Sequence, residues 1–389
     1  MLRYLTAGES HGKSLVVIIE GIPANLKINI EEINDQLRER QVGFGRGDRM
    51  KIEKDHVEIL AGVRHNWTLG SPISLVIPNK DWENWQQIMA PIIEPSTTIE
   101  YEETTTSPRP GHADLAGAIK YGHKDLRNVL ERASARETAA RVAVGAIAKI
   151  LLRQFDIQVI SQVIQIGKIK ANVEDKSFEE IKERILISLL RCADKEKEIE
   201  MLKVIEQAKE EGDTVGGIFE VIAVGVPIGL GSYSQWDRRL DGRLAFSVMS
   251  IPAIKGVEIG LGFECANIPG SAVHDEIFYT KHKGYFRKTN HAGGLEGGIT
   301  NGQPIVLRAA MKPIPTLRKP LASVNFETKE FTMASYERSD VCAVPSASVV
   351  GEAAVSIELC KAMQEKFAGD SMQEMKKNYQ NYMEYIKKI

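Results

Sequence analysis

The stretch RETAARVAVGAIAKILLR, Arg136 to Arg153, carries the clearest helical pattern in the chain. Ala139, Ala143, Ala146 and Ile150 fall on one face, while Glu137, Arg141, Lys149 and Arg153 share a polar stripe. Small side chains on the apolar face let a second helix come close, so the segment predicts close helix packing. Strands are expected on either side. RYLTAG at residues 3–8 alternates, Leu15 to Ile19 is a β-branched run, and short apolar runs alternate with turn residues from Lys51 to Pro78. Strand character returns at Gly217 to Ile228. Asn29 to Glu32 reads as a capping box for a helix reaching about Gln41, and Ser177 to Glu180 as another, opening a solvated helical hairpin over 177–211. Residues 94–114 look like an exposed connection, 265–303 too irregular for a core, and the end from about 346 helical. No repeat and no linker marks a boundary, so a single large domain over 1–389 is expected, with a helical C-terminal tail from about 346.

Composition narrows the function. Of 389 residues, 43% are hydrophobic and 26% charged, the range of a soluble globular protein with a substantial core. A net charge of −2 argues against bulk nucleic-acid affinity, so any anion site must come from local clustering. Cys192, Cys265, Cys342 and Cys360 are widely spaced and read as free thiols in a reducing compartment. The eight histidines include no His-Glu-x-x-His, and no metal site is expected. The N-terminus lacks a signal core, and LVVIIEGI is too short to span a bilayer; the expected setting is cytoplasmic, with no membrane partner.

AGESHGKS, Ala7 to Ser14, nearly matches a phosphate-binding P-loop. That motif needs a helix after the loop, and LVVIIEGIP favours a strand instead. A nucleotide hydrolase is therefore kept only as a rival, beside a non-catalytic module that binds flavin or another polyanion. GFGRGD has the wrong spacing for a dinucleotide fold. RERQVGFGRGDRMK interleaves Arg38, Arg40, Arg46, Arg49 and Lys51 with glycines. It is either a solvated surface or a loop whose backbone and guanidinium groups grip carboxylate or phosphate. Arg132, Ser134 and Arg136 cluster where the alanine-rich helix begins, a place for a helix cap or an anion cradle. KPIPT at 312–316, NHAGG at 290–294 and ERSDVCAVP at 337–345 read singly as a loop, a turn and a surface ion pair. His11 and His112 both sit in turns beside strand-like segments, where an imidazole can pass protons at neutral pH. His56, His65, His123, His274 and His282 have no comparable setting.

Taken together, GESHG (8–12), GRGDRM (45–50), RPGHAD (109–114), RASARETAARV (132–142), SIPAIKGVEIGLGF (250–263), NHAGG, KPIPT and RSDVCAVP (338–345) resemble the chorismate synthase family, in family order. One variation is Glu131, where many relatives carry glycine before the arginine; little consequence is expected of it. The resemblance implies an α+β fold of antiparallel sheets packed around a central helical layer, assembled as a homotetramer. It also implies the conversion of 5-enolpyruvylshikimate 3-phosphate to chorismate with reduced FMN, without net redox change. NADPH or an external flavin reductase is the implied source of reducing power. Carried over by motif, Arg132, Ala133, Ser134, Pro252, Ala253, Gly297, Lys312, Pro313, Ile314, Pro315, Thr316 and Arg338 line the flavin. Arg40 and Arg46 are linked to NADPH, and Arg46, Arg49, Arg109, Arg136 and Arg338 to the substrate anions. His11 protonates the departing phosphate, His112 lies by the flavin and sets the protonation of its reduced ring, and Asp340 helps move the ring proton.

Overall fold

The computed structural model describes residues 1–45, 54–92, 104–336 and 340–389. Strands β1 (Arg3–Ala7), β2 (Ser14–Glu20), β3 (Glu58–Ala61) and β4 (Ile73–Pro78) form an antiparallel sheet in the order β1-β2-β4-β3. Alternation decides its faces. Leu15, Val17 and Ile19 of β2 and Ile73, Leu75 and Ile77 of β4 are buried, while Leu5 and Ile18 point outward. A second antiparallel sheet, ordered β8-β9-β7-β5-β6, contains β5 (Gln158–Ile166), β6 (Ile169–Lys170), β7 (Gly217–Val224), β8 (Ile254–Ile259) and β9 (Ile305–Met311).

Between the sheets lie helices α1 (Ile30–Gln41), α4 (Thr138–Arg153) and α8 (Val344–Phe367). Helix α4 packs on α1, α8 and the first sheet, and α8 packs on the second sheet through β5 and β7. The expected α+β arrangement around a helical layer is what the chain forms. Around it lie α2 (Asp114–Tyr121), α3 (Arg127–Ala133), α5 (Phe178–Ile187), α6 (Lys195–Glu210), α7 (Leu240–Met249) and α9 (Met372–Ile386). One cluster of buried apolar side chains runs from Leu2 to Met375.

Small residues make the layer thin enough to bury. A Cβ added to Gly145 of α4 would lie 2.6 Å from Ala353 Cα of α8, and one added to Gly351 would lie 2.8 Å from Phe219 Cζ of β7. Helix α8 is thus pressed against a helix on one side and a strand on the other. The segment expected as a helical tail from about 346 is instead an almost wholly buried central helix, followed by α9. The polar stripe expected on α4 also turns inward at Lys149, whose ammonium meets Glu352. The Glu352 carboxylate, 2% exposed, further accepts from Ser161 Oγ at 3.0 Å and Arg191 Nη2 at 3.1 Å. Burial pushes its pKa up, but the Lys149 and Arg191 charges outweigh that and hold it below the usual range.

Of the two capping boxes expected from the sequence, one is complete. Ser177 makes the full capping box, whereas Asn29 only accepts from Glu31 N at 3.1 Å. The hairpin over 177–211 is less solvated than expected, because Glu198 is buried and binds Arg184 at 2.5 Å.

Gly145→Ala should lower stability by about 1–3 kcal/mol, since backbone on α8 must move to admit one methyl. Gly242→Ala, in α7 where a Cβ meets nothing within 4 Å, should be neutral or stabilising. Chemical denaturation of both variants checks this; equal effects would mean that the α4–α8 approach is not limiting.

Candidate active site

His11 lies in the Gly8–Lys13 turn between β1 and β2. Gly8 has φ +108°, and a Cβ there would stand 2.9 Å from Leu15 Cα, so glycine is required for the chain to fold back. The turn is gripped from two sides. Asn79 Nδ2 donates to Gly12 O at 2.6 Å and to Glu9 O at 3.2 Å. From α3, Glu131 O accepts from Ser10 N at 3.0 Å, and the Glu131 carboxylate takes His11 N at 2.7 Å and His11 Nδ1 at 2.8 Å. The expectation that Glu131 matters little is therefore overturned: its side chain is 1% exposed and holds the histidine by ring and backbone.

Arg136 begins the next turn of chain and is buried, donating from Nε to Asn79 Oδ1 at 2.9 Å and pairing with Asp55 at 2.5 Å. Ser134 Oγ donates to Ser10 Oγ at 3.1 Å and accepts from Arg136 N at 3.3 Å, so it caps the helical turn and touches the His11 turn at once. Arg132 spends its guanidinium on β1, donating to Gly8 O and Thr6 O at 3.0 Å and Thr6 Oγ1 at 2.9 Å. It braces the His11 turn.

The second histidine is built the same way. Gly111, at φ +80°, bends RPGHAD, and His112 Nδ1 meets Asp114 Oδ1 at 2.5 Å. Asp114 opens α2 and accepts Arg109 Nε at 2.8 Å and Nη2 at 3.1 Å. Arg109 Nη1 reaches Thr316 Oγ1 at 3.0 Å, and Lys312 Nζ donates to Gly111 O. Burial raises the Asp114 pKa, but the hydrogen bonds and charges of His112 and Arg109 hold it well below the usual carboxylate range. Arg109 thus serves Asp114 and Thr316 first, where a substrate contact was expected.

Backbone bonds bring the remaining motifs alongside. Lys312 N donates to Ala253 O at 3.0 Å, and Ala253 holds a strained φ of +69° after Pro252. Thr214 Oγ1 donates to Ile314 O at 2.7 Å, Val215 N to Val341 O at 3.0 Å, and Val341 N to Gly45 O at 2.8 Å. The base of the glycine-arginine loop, half-buried Asp340 and KPIPT therefore share one seam. Gly297 stands apart, in the Leu295–Thr300 hairpin whose Gly298 O accepts from Leu240 N at the start of α7. Ala253 lies beyond the other end of that ten-residue helix, about 15 Å along its axis. Arg40 is 4% exposed, and its carbonyl accepts from Ser346 Oγ. Arg46, Arg49 and Arg338 lie outside the described residues.

The family model described as chorismate synthase matches residues 2–364. The chorismate synthases of Brevibacillus brevis and Aquifex aeolicus are each 58% identical, the first covering 100% of both chains and the second 99% of this chain and 98% of its own. The chain belongs to the chorismate synthase family. A crystal structure of chorismate synthase, 48% identical, superposes with a TM-score of 0.80 over 100% of this chain and 99% of its own.

The fold removes the P-loop reading. The residues after AGESHGKS form β2 antiparallel to β1, so a strand stands where the motif needs a helix. Among the described residues no cluster of His, Cys, Asp or Glu could hold a metal, and no helix is long and apolar enough to cross a membrane. The residues that sequence reasoning missed are acids. Asp114 lies within RPGHAD but gains no role from sequence, Glu131 reads there as inconsequential, and Asp55 belongs to no motif.

The depressed Asp114 pKa has a signed consequence. A carboxylate whose folded value lies below its unfolded value of about 4 stabilises fully above that pH, and the gain disappears as pH falls through the folded value. Asp114→Asn should therefore be less stable than the parent at neutral pH and lose less stability on acidification below about pH 4. Urea unfolding at pH 7 and pH 3 measures both; an unchanged acid slope would mean that Asp114 carries no linked charge.

Proposed function

We propose that this chain converts 5-enolpyruvylshikimate 3-phosphate to chorismate, the last step of the shikimate pathway, as a carbon–oxygen lyase dependent on reduced FMN. The observation that carries the reading is the full-length membership of a family of that name in a chain whose two motif histidines are each held by a buried carboxylate.

The residues present suit a flavin. At Gly111 a Cβ would come 3.2 Å from Lys312 Nζ, so the missing side chain leaves backbone open beside a cation. Lys312 to Thr316, the Pro252–Ala253 turn, Ser134 and His112 would hold the cofactor on this reading, with Arg338 added from the motif. When bound there, reduced FMN would supply transient electron density for the elimination.

The chain's own groups do the rest. His11 delivers a proton to the phosphate as its C–O bond breaks, turning a poor leaving group into a better one. Asp340 assists removal of the ring hydrogen, whose C–H electrons form the new double bond. Arg46 and Arg49 gather the substrate's carboxylates and phosphate, while Arg136, paired with Asp55, holds the Asn79 that grips the His11 turn. His112, pinned by Asp114, sets the protonation of the reduced ring. NADPH or an outside flavin reductase would supply the electrons. The same family reading supports a cytoplasmic homotetramer, and the continuous core from Leu2 to Met375 supports one domain.

An anaerobic assay with chemically reduced FMN should release chorismate and phosphate in equal amounts. His11→Ala should cut turnover by roughly 10²-fold or more. Asp340→Asn should keep flavin and turn over slowly. A protein that holds FMN but makes no chorismate is the binding module instead, and near-normal His11→Ala turnover removes that residue's role.

A further inference from the structure

His11 sits in a closed ring of four side chains. Its imidazole stacks on the Trp85 indole with centroids 3.9 Å apart and planes at 23°. Arg127 lies over the same indole, its Cζ 5.1 Å from the centroid. Arg127 Nη1 is 3.7 Å from Glu131 Oε1, and Glu131 Oε1 is 2.8 Å from His11 Nδ1. Trp85 is itself aimed by Asp81, which accepts its Nε1–H at 3.0 Å. The ring covers one imidazole face, one edge and the backbone N–H, leaving the side chain 11% exposed.

We propose that Glu131 is a positioning residue for the elimination: it selects the Nδ1–H form of His11 and aims Nε2 at the leaving group, under a roof made by Trp85. This rests on the function proposed above. The chemistry is elementary. An ionised carboxylate only accepts, so the hydrogen in the His11–Glu131 bond belongs to Nδ1. The neutral ring then carries its lone pair on Nε2, and the proton destined for phosphate is taken up and released there. Because the same carboxylate is anchored on the His11 backbone N–H through Oε2, its Oε1 is held in place to accept from the ring. Other charged groups around the turn are spent elsewhere. Arg132 is on Gly8 O, Arg136 on Asn79 and Asp55, and Glu9 folds against Gly12. Trp85 excludes water from the stacked face, and Arg127 joins the roof to the acid that orients the ring.

Glutamine at 131 keeps the shape but not the function. Its single oxygen can accept from one of the two His11 donors, while its amide NH2 faces the other.

The first test uses the parent FMN-loaded enzyme, labelled with ¹⁵N-histidine and read by solid-state NMR, with His11 assigned by its absence from His11→Gln. The neutral ring should be protonated at Nδ1; protonation at Nε2 overturns the proposal without any change at Glu131. The second test is kinetic, with reduced FMN. Glu131→Gln should lower kcat roughly 10- to 100-fold with KM little changed, as for loss of an orienting group. In a His11→Ala background it should cost nothing further. An equal loss in both backgrounds, or a change confined to KM, means that Glu131 does not act through His11. If the parent enzyme forms no chorismate, the functional reading fails while the NMR result still decides the tautomer. If Glu131→Gln does not fold, the parent spectrum alone decides.

Discussion

The structure depends on two carboxylates placed at the open end of one helical hairpin. Helices α2 and α3 are joined by a short connection at their closed end and pack so closely that a Cβ on Gly117 would overlap Val129. Asp114 is the first residue of one helix and Glu131 lies in the last turn of the other, so both face away from that connection. Each acid takes one histidine by Nδ1. A rigid two-helix unit therefore fixes both imidazoles, although one belongs to the turn after β1 and the other to a loop far along the chain.

That unit is held in place by the layer beneath it. Ser134 to Thr138 leads from α3 into α4, and α4 is locked against α8 by the absent side chain of Gly145. Helix α8 in turn anchors α1 through Ser346, and Gln41 at the end of α1 binds Asp55, the partner of Arg136. Burying so many charges is costly unless each is paired, and here each acid has basic or hydrogen-bond partners. The turns stay stiff because the core cannot shift without breaking these pairs.

Much of this was legible in the sequence, for physical reasons. The strands at the start and the alanine-rich helix declared themselves by period, and the Ser177 cap by its Glu partner three residues on. The motifs named the family because they run in order. What escaped was direction. Periodicity places Lys149 on a polar stripe, yet its partner is Glu352, 203 residues away and unreachable by any local rule. The final helices read as a tail because α8 is apolar enough on all sides to have no outward face, which is the mark of a central helix. Glu131 and Asp55 were missed because an acid gains meaning only once the fold shows which base it faces. Arg132 and Arg109 read as ligand contacts, and the fold spends both on the turns, Arg132 from the surface and Arg109 from a buried position.

The most direct test of the account is a crystal structure of the enzyme with 5-enolpyruvylshikimate 3-phosphate and FMN bound together. The account predicts a phosphate oxygen within about 3 Å of His11 Nε2, with Glu131 still on Nδ1, and the flavin beside His112 and Lys312. A phosphate bound at Lys312 and remote from His11, or a His11 ring rotated away from Glu131, would contradict it.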